Sequence, residues 1–505
     1  MIVDIHTHSD SSLGVRSLAP IREQCRRNGV TLVLLCSLGR WSHYPGTKEV
    51  REANDEACAC AEQSEGLVRW LAYLNPQNAN WRQELDRCLT QGAIGIKLWV
   101  SLKDEHGRLD NMAAVIPYAA EKGLPILIHT FHRTDNNLPG EITLDELGLL
   151  AKRFPRATLI AAHVGAHWRL SLNILRRFPR NALVDISGCF PEQGMVDALV
   201  RAMGAERILF GSDLLGRCQA SQLAKVVFAH VSPRAKKAIL RQNAVRVFGL
   251  KSIPPTRAIK PRLRLRLPDA RTDHFCFCGA WPFFPTSART PQALNRVLEN
   301  AGIVKAYTGD LGSVFRLDLN NANGEFVRAC RGADRIAPLA ALNPSAIDWR
   351  PTLAALDASF TGVILYPYLH NWRLDNPEHI EFFKACAAQR IPLWINCALG
   401  DYRFRHSGLA CRPVIKDELT GFGRIAPHNA YVIQGATGDM IADFMKRMPA
   451  RSRFRFEFSR LTDVSGALAQ AVRQFGLAPF VMGSEFPLRD IRATCWVADR
   501  ERRIF

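Results

Sequence analysis

The chain repeats itself over a very long distance. The stretch LAYLNPQNANWRQELDRCLTQGAIGIKLW from Leu71 meets LAALNPSAIDWRPTLAALDASFTGVILY from Leu339. Asn75, Pro76 and Trp81 recur as Asn343, Pro344 and Trp349, each 268 positions later. RLDN at 108 returns at 373, Pro125 as Pro392, and FGSD at 210 as MGSE at 482. Offsets of 265 to 272 run through nearly the whole unit, far beyond the period of a solenoid repeat. The chain therefore reads as a tandem duplication, and its 505 residues suit two cores of about 250 each.

The first half alternates strand and helix patterns. Short β-branched runs fall at 2–8, 31–37, 68–74, 94–100, 125–130, 158–163, 182–187 and 207–213. Amphipathic stretches at 19–27, 48–63, 81–90, 112–122 and 144–154 are long enough for right-handed crossovers. Eight such β/α steps predict a closed parallel barrel. A doubly wound open sheet is the competing reading, but HTHSDSSLG after the first strand lacks the G-x-G-x-x-G spacing. The expected fold is α/β, two tandem (β/α)8 TIM-like barrels with the second degenerate. The expected units are 1–250, a basic linker at 251–271, and 272–505.

Composition narrows the class of protein. Hydrophobic residues at 47% against 22% charged describe a folded globular chain. No apolar run reaches the roughly 18 residues of a membrane span, and MIVDIHTHSD lacks the basic start of a secretion signal. Fourteen Cys without framework spacing fit reduced thiols, so the expected location is cytoplasmic, with no membrane partner. The net charge of +19 raises nucleic acid as a partner, but part of it is local. Lys251 to Arg271 holds seven Lys/Arg against one Asp, with Pro-Pro and Lys-Pro breaks. That segment reads as a linker whose RLRLRL places every Arg on one face of an extended strand. No interleaved aromatic pattern supports nucleic acid, which is not expected as a partner.

The polar residues of the first half gather where a parallel barrel keeps its reactive groups, at the carboxyl ends of strands. Strand one ends in His6-Thr7-His8, and period two puts both imidazoles on one face. His129 follows strand five, His163 strand six and Asp213 strand eight, while Lys97 lies within strand four. Any one of these is commonly a core histidine or a helix cap. Four imidazoles and a carboxylate at the same end of four strands instead point to a metal site, with Zn²⁺ favoured and Mn²⁺ or Fe²⁺ as alternatives.

The set DIHTH, GIKLW, LIHTFH, AAHVGAH and FGSD, closing with RQNAVRVFGL, resembles the amidohydrolase superfamily over residues 1–250. It is most similar to the amidohydrolase-related branch that includes aminocarboxymuconate-semialdehyde decarboxylase. The resemblance implies one metal per chain, in the first barrel, held by His6, His8, His129 and Asp213. His163 would then orient or deprotonate the metal-bound water, and Asp213 would also carry a proton to the leaving group. Lys97 matches the place near which binuclear members carry a carboxylated lysine, and is expected either as a bridge to a second metal or as a structural or substrate-facing ammonium. His132, Arg133 and Arg217, with His167, Trp168 and Arg169, sit in loops after strands five, six and eight. The first three are the leading candidates for a substrate carboxylate, which matches the guanidinium fork.

In the second half the ligand types are missing. TDHFCFC at 272 is its first strand, with Phe275 and Phe277, or Cys276 and Cys278 in the other register, where the two His stood. Asn396, Gln434 or a small neighbour, and Glu485 take the later positions. These make a poor zinc site, so the second barrel is expected to be a catalytically dead copy, acting as scaffold, as a ligand pocket, or as a fused pseudo-dimer partner reaching across with Arg403 or Arg405. Further oligomerisation stays open. The expected activity is metal-dependent hydrolysis of a C–N or C–O bond in a small, polar, carboxylate-bearing substrate. Non-oxidative decarboxylation and a non-enzymatic binding or assembly subunit are the alternatives.

Overall fold

A computed structural model describes residues 1–99, 101–104, 106–134, 136–250, 271–404, 411–448 and 453–501. The chain divides into two compact units, Met1–Arg262 and Leu263–Phe505. The expected basic linker at 251–271 lies outside the described residues except for Arg271.

In the first unit every strand pairing is parallel. The strands are β1 (Ile2–His8), β2 (Val30–Cys36), β3 (Val68–Trp70), β4 (Ala72–Tyr73), β5 (Ile96–Leu98), β6 (Pro125–Ile128), β7 (Thr158–Ala161), β8 (Ala182–Asp185) and β9 (Ile208–Leu209). They run in consecutive order as a three-stranded and a six-stranded sheet. The third strand, expected as one run over 68–74, breaks at Leu71 because its partner changes there. Leu71 N–H donates to Leu35 O, whereas Ala72 N–H donates to Gly95 O. Hydrogen bonds also run from β1 to the segment after β9: Ile5 N–H donates to Phe210 O, and Asp213 N–H to His6 O.

Helices lie between successive strands, among them Leu18–Asn28, Thr47–Glu62, Trp81–Thr90, Asp110–Glu121 and Leu144–Arg153. Local chemistry sets their ends. Gly29 closes the first at φ 68°, a conformation open to glycine. Thr143 and Glu146 cap each other's backbone at the start of Leu144–Arg153.

Alternate strand residues feed two apolar layers. Val3, Ile5, Leu34, Leu71, Leu127, Ile160, Leu183 and Leu209 form an inner cluster that also takes Phe248. Val33, Leu35, Ile126 and Leu159 face the helices with Ile21, Leu85 and Leu147. The period of two along each strand therefore fixes which side chains are free to build a site at the strand ends.

The second unit holds one eight-stranded, nearly closed parallel sheet in consecutive order. Its strands are β10 (Thr272–Cys278), β11 (Lys305–Asp310), β12 (Ile336–Leu342), β13 (Gly362–Leu365), β14 (Leu393–Asn396), β15 (Tyr431–Gln434), β16 (Phe454–Glu457) and β17 (Phe480–Val481). β10 reaches the segment after β17 as β1 reaches that after β9: His274 N–H donates to Met482 O and Glu485 N–H to Phe275 O.

A buried carboxylate resolves the register that the sequence leaves open. Asp4 accepts from His6 N–H, Ser212 N–H and the Ser212 hydroxyl; Asp273 accepts from Phe275 N–H, Ser484 N–H and the Ser484 hydroxyl. Phe275 and Phe277 thus hold the backbone places of His6 and His8. Cys276 and Cys278 are buried, and burial pushes both thiols well above their ordinary range. No described helix is long and apolar enough to cross a membrane.

Candidate metal centre

Six segments deliver polar side chains to the carboxyl end of the first unit's strands. β1 ends in His6 and His8, and β5 carries Lys97. His129 directly follows β6, His163 follows β7, Asp185 closes β8 and Asp213 lies beyond β9. All are buried except Asp213, whose side chain is about one-fifth exposed.

Three donors converge. His6 Nε2 and His8 Nε2 stand 3.2 Å apart, Asp213 Oδ1 is 3.2 Å from His8 Nε2, and it is 3.9 Å from His6 Nε2. Donors bound at ~2.0–2.1 Å to a tetrahedral zinc lie about 3.3 Å from one another, so the spacing and the N,N,O chemistry fit a divalent ion. The far nitrogen of each ring is already anchored, His6 Nδ1 on Asp185 Oδ2 at 2.8 Å and His8 Nδ1 on the Cys36 carbonyl at 3.1 Å. Such anchoring turns both Nε2 atoms inward.

His163 belongs to a second group with His6 and Asp185. Its ring is 5.0 Å from that of His6, and its Nδ1 is 2.9 Å from Ser187 Oγ. The residue sits at φ 63°, a left-handed turn that tips the imidazole over the strand ends. His129 stands outside both groups. Its Nε2 donates to Glu141 Oε1 at 2.7 Å and its ring lies 5.1 Å from that of His163, so only Nδ1 is available to the site.

Lys97 Nζ donates to His6 Nε2 at 2.9 Å. Arg133 is turned toward Glu141, with Nε at 3.3 Å from Oε2, and packs over Phe131. Arg169 pairs with Glu192, which also accepts from the Trp168 indole, and stacks on Trp168. His132 is exposed, and Arg217 is half-buried in the loop after Asp213.

Burial and neighbouring charge set the protonation of the cluster. Burial and the adjacent Lys97 ammonium lower His6 to about 4 against the pull of Asp185. Burial, with His6 and His129 nearby, holds His163 well below the usual imidazole range, which leaves it neutral and able to accept a proton. Burial lowers Lys97. For Asp213 burial works upward but is outweighed by the His8 hydrogen bond and by His6 and His163, which keep it ionised.

Asp185, Ser187 and Glu141 are absent from the residues that the sequence singles out. Asp185-Ile186-Ser187 ends a buried strand at the same face and was open to the rule that picks out His129; Glu141 sits in a loop with no pattern to mark it.

The corresponding places of the second unit are differently filled. Gly435 N–H and Ser459 N–H donate to Glu457, as His163 N–H and Ser187 N–H donate to Asp185, so Gly435, the small neighbour of Gln434, stands where His163 does. Asn396 Nδ2 donates to Gln434 Oε1 and Gln434 Nε2 to His274 O. Glu485, at φ 58° like Asp213 at 61°, is ion-paired at 2.8 Å with both Arg460 and Arg489, and Arg489 also holds Asp463. Arg403 pairs with Asp401, and Arg405 lies outside the described residues.

Residues 5–250, which lie within the first unit, match the family model described as amidohydrolase. No curated protein matches the chain. Among solved structures, 5-carboxyvanillate decarboxylase from Sphingomonas paucimobilis shows 17% identity and a TM-score of 0.41 over 50% of this chain and 99% of its own. A 2,6-dihydroxybenzoate decarboxylase from Rhizobium shows 16% and 0.41 over 49% and 98%. A dihydroxybenzoic acid decarboxylase from Polaromonas, with bound manganese and an inhibitor, shows 17% and 0.39 over 49% and 96%.

Proposed function

We infer that the first unit, residues 1–250 as a (β/α)8 barrel, is a divalent-metal-dependent hydrolase that adds water across a C–N or C–O bond of a small, polar, carboxylate-bearing substrate. The observation that carries this reading is the convergence of His6 Nε2, His8 Nε2 and Asp213 Oδ1, with the other nitrogen of each ring already held. These residues would hold one zinc ion, or manganese or iron in its place, and His129 would join them through Nδ1. A cation so held supplies Lewis acidity to an oxygen of water or substrate.

The chain's own residues do the rest. Neutral His163, anchored through Nδ1, takes a proton from water at Nε2. Asp213, ionised at rest, accepts the second proton of the attacking water and passes it to the leaving group. His132, Arg133 and Arg217 receive the substrate carboxylate, and the ammonium of Lys97, which donates to His6 Nε2, would turn to the bound molecule once a cation takes that nitrogen. Burial of the imidazoles keeps bulk water from competing for these contacts.

The second unit, residues 272–505 beyond a basic linker at 251–271, is read as a duplicated copy that has lost its site. Support comes from the retained carboxylates Asp273 and Glu457, which keep their backbone partners while Phe275, Phe277 and Gly435 replace the imidazoles. With two guanidiniums on Glu485, no set of metal donors remains at these strand ends among the described residues.

The test combines metal analysis with a panel of amides and lactones. About one Zn or Mn per chain is expected, lost in His6→Ala and Asp213→Ala. His163→Asn should keep the metal and lose hydrolysis by about 10²–10⁴-fold. Release of CO₂ without uptake of water would overturn the hydrolytic reading, and a protein that takes up no divalent ion would overturn the metal centre.

A further inference from the structure

We propose that Asp185 is a positioning residue shared by two imidazoles, fixing the proton of His6 directly and that of His163 through Ser187 on Nδ1, so that both rings keep an unprotonated Nε2, which on His6 accepts from Lys97 Nζ. The proposal rests on the reading of this cluster as a metal centre with His163 as its base.

The contact lengths favour one arrangement of the hydrogens. An ionised carboxylate only accepts, so the 2.8 Å contact between His6 Nδ1 and Asp185 Oδ2 requires the hydrogen on His6 Nδ1. Ser187 has a single hydroxyl hydrogen, and the shorter of its two contacts, 2.6 Å to Asp185 Oδ1 against 2.9 Å to His163 Nδ1, assigns it to the carboxylate. Ser187 Oγ can then only accept, and the ring nitrogen 2.9 Å away, His163 Nδ1, must be the donor. His6 Nδ1, 3.0 Å from the same oxygen, shares its hydrogen between serine and aspartate.

The surrounding backbone is built for this placement. Asp185 Oδ1 also accepts from His163 N–H at 2.9 Å and Ser187 N–H at 3.0 Å, tying together the two turns that carry the groups. Gly188, at φ 79°, leaves the space that the ring fills; a Cβ there would stand 2.3 Å from His163 Nδ1. Lys225 Nζ donates to Ile186 O and Gln222 Nε2 to Cys189 O, pinning the segment on either side of Ser187. In the second unit Glu457 and Ser459 keep the backbone part of the device, but Phe275 and Gly435 leave them no imidazole to orient.

One carboxylate therefore governs two properties that would otherwise vary independently, the strength of a metal ligand and the readiness of a base. The test is ¹⁵N-histidine NMR of the full chain, metal-free and with zinc, beside zinc affinity measured by chelator competition. Wild type is expected to show both rings as the Nδ1–H form. Ser187→Ala should shift His163 away from that form while His6 keeps it and zinc affinity stays within a few-fold. Asp185→Asn should disturb both rings and weaken zinc binding by about 10–100-fold. Unchanged ring signals in both variants, or a wild-type His163 protonated on Nε2, would overturn the proposal. Should Asp185→Asn fail to fold, Ser187→Ala decides alone. If wild type binds no zinc, the metal reading fails, and the metal-free His163 signal with its response to Ser187→Ala still decides whether Asp185 and Ser187 place the proton.

Discussion

His163 and Gly188 form a pair whose sizes are matched, and the second unit shows the exchange. There the imidazole place belongs to Gly435, and Arg460, one residue beyond Ser459 as Gly188 is one beyond Ser187, sends its guanidinium to Glu485 instead. Bulk has moved from one turn to the next while the site between them stays filled. Gly188→Ala in the first unit should therefore lower stability by about 2 kcal/mol or more, from the left-handed φ and the contact with His163, and should displace the ring. Chemical denaturation and hydrolytic rate check the two effects, and a variant as stable and active as wild type would contradict the packing argument. Among the site residues, those repeating along a strand were legible. His6 and His8 follow period two, and His129, His163 and Asp213 end strands. Glu141 was not, because its role lies in a contact with His129, 12 positions away, that no local pattern encodes.

Strands and their closing helices show a second compensation. Gly95 opens its strand segment against Phe248, whose ring would lie 3.3 Å from a Cβ there and which follows the helix Asn243–Val247. Gly362, its counterpart in GVILY, faces Trp394 from inside the sheet, 2.5 Å from the same imagined atom. A ring from the sheet's own β14 fills in one unit the space that a terminal helix fills in the other. Phe248→Ala should cost about 3–5 kcal/mol by leaving that space empty, measured as a shift in denaturant midpoint. The alternation of strand and helix was plain in the sequence, and Trp81–Thr90 falls where the pattern put it. The break at Leu71 was invisible, since it reflects a change of hydrogen-bonding partner within one apolar run. The register of β10 was equally hidden, because alternating Phe and Cys satisfy burial on either face.

At the scale of the molecule the two units should answer different reagents. Calorimetry with zinc or manganese should raise one unfolding transition by several degrees and leave the other in place, because binding stabilises only the unit that holds the donors. Both transitions moving together would contradict the separate roles. The second unit should respond to pH through Glu457, whose carboxyl burial pushes up to about 7 from 4.5. A folded pKa above the unfolded one means stability is full below about pH 4.5 and is lost as pH rises through about 7. Glu457→Gln should flatten that decline between pH 5 and 8, a difference of a few kcal/mol at most, read from unfolding midpoints at the two pH values. The long-range repeat made the two-unit plan legible, whereas the ion pairs that fill the second unit were not, because Arg460, Glu485 and Arg489 lie on separate turns. Those pairs bear on how the second unit can vary. Losing Glu485 would leave Arg489 to Asp463 and Arg460 to the Gly400 carbonyl, and losing either arginine would leave Glu485 with a single guanidinium. Any single change among Glu485, Arg460 and Arg489 unbalances the charge that the remaining two share, so substitutions on these separate turns are tied to one another.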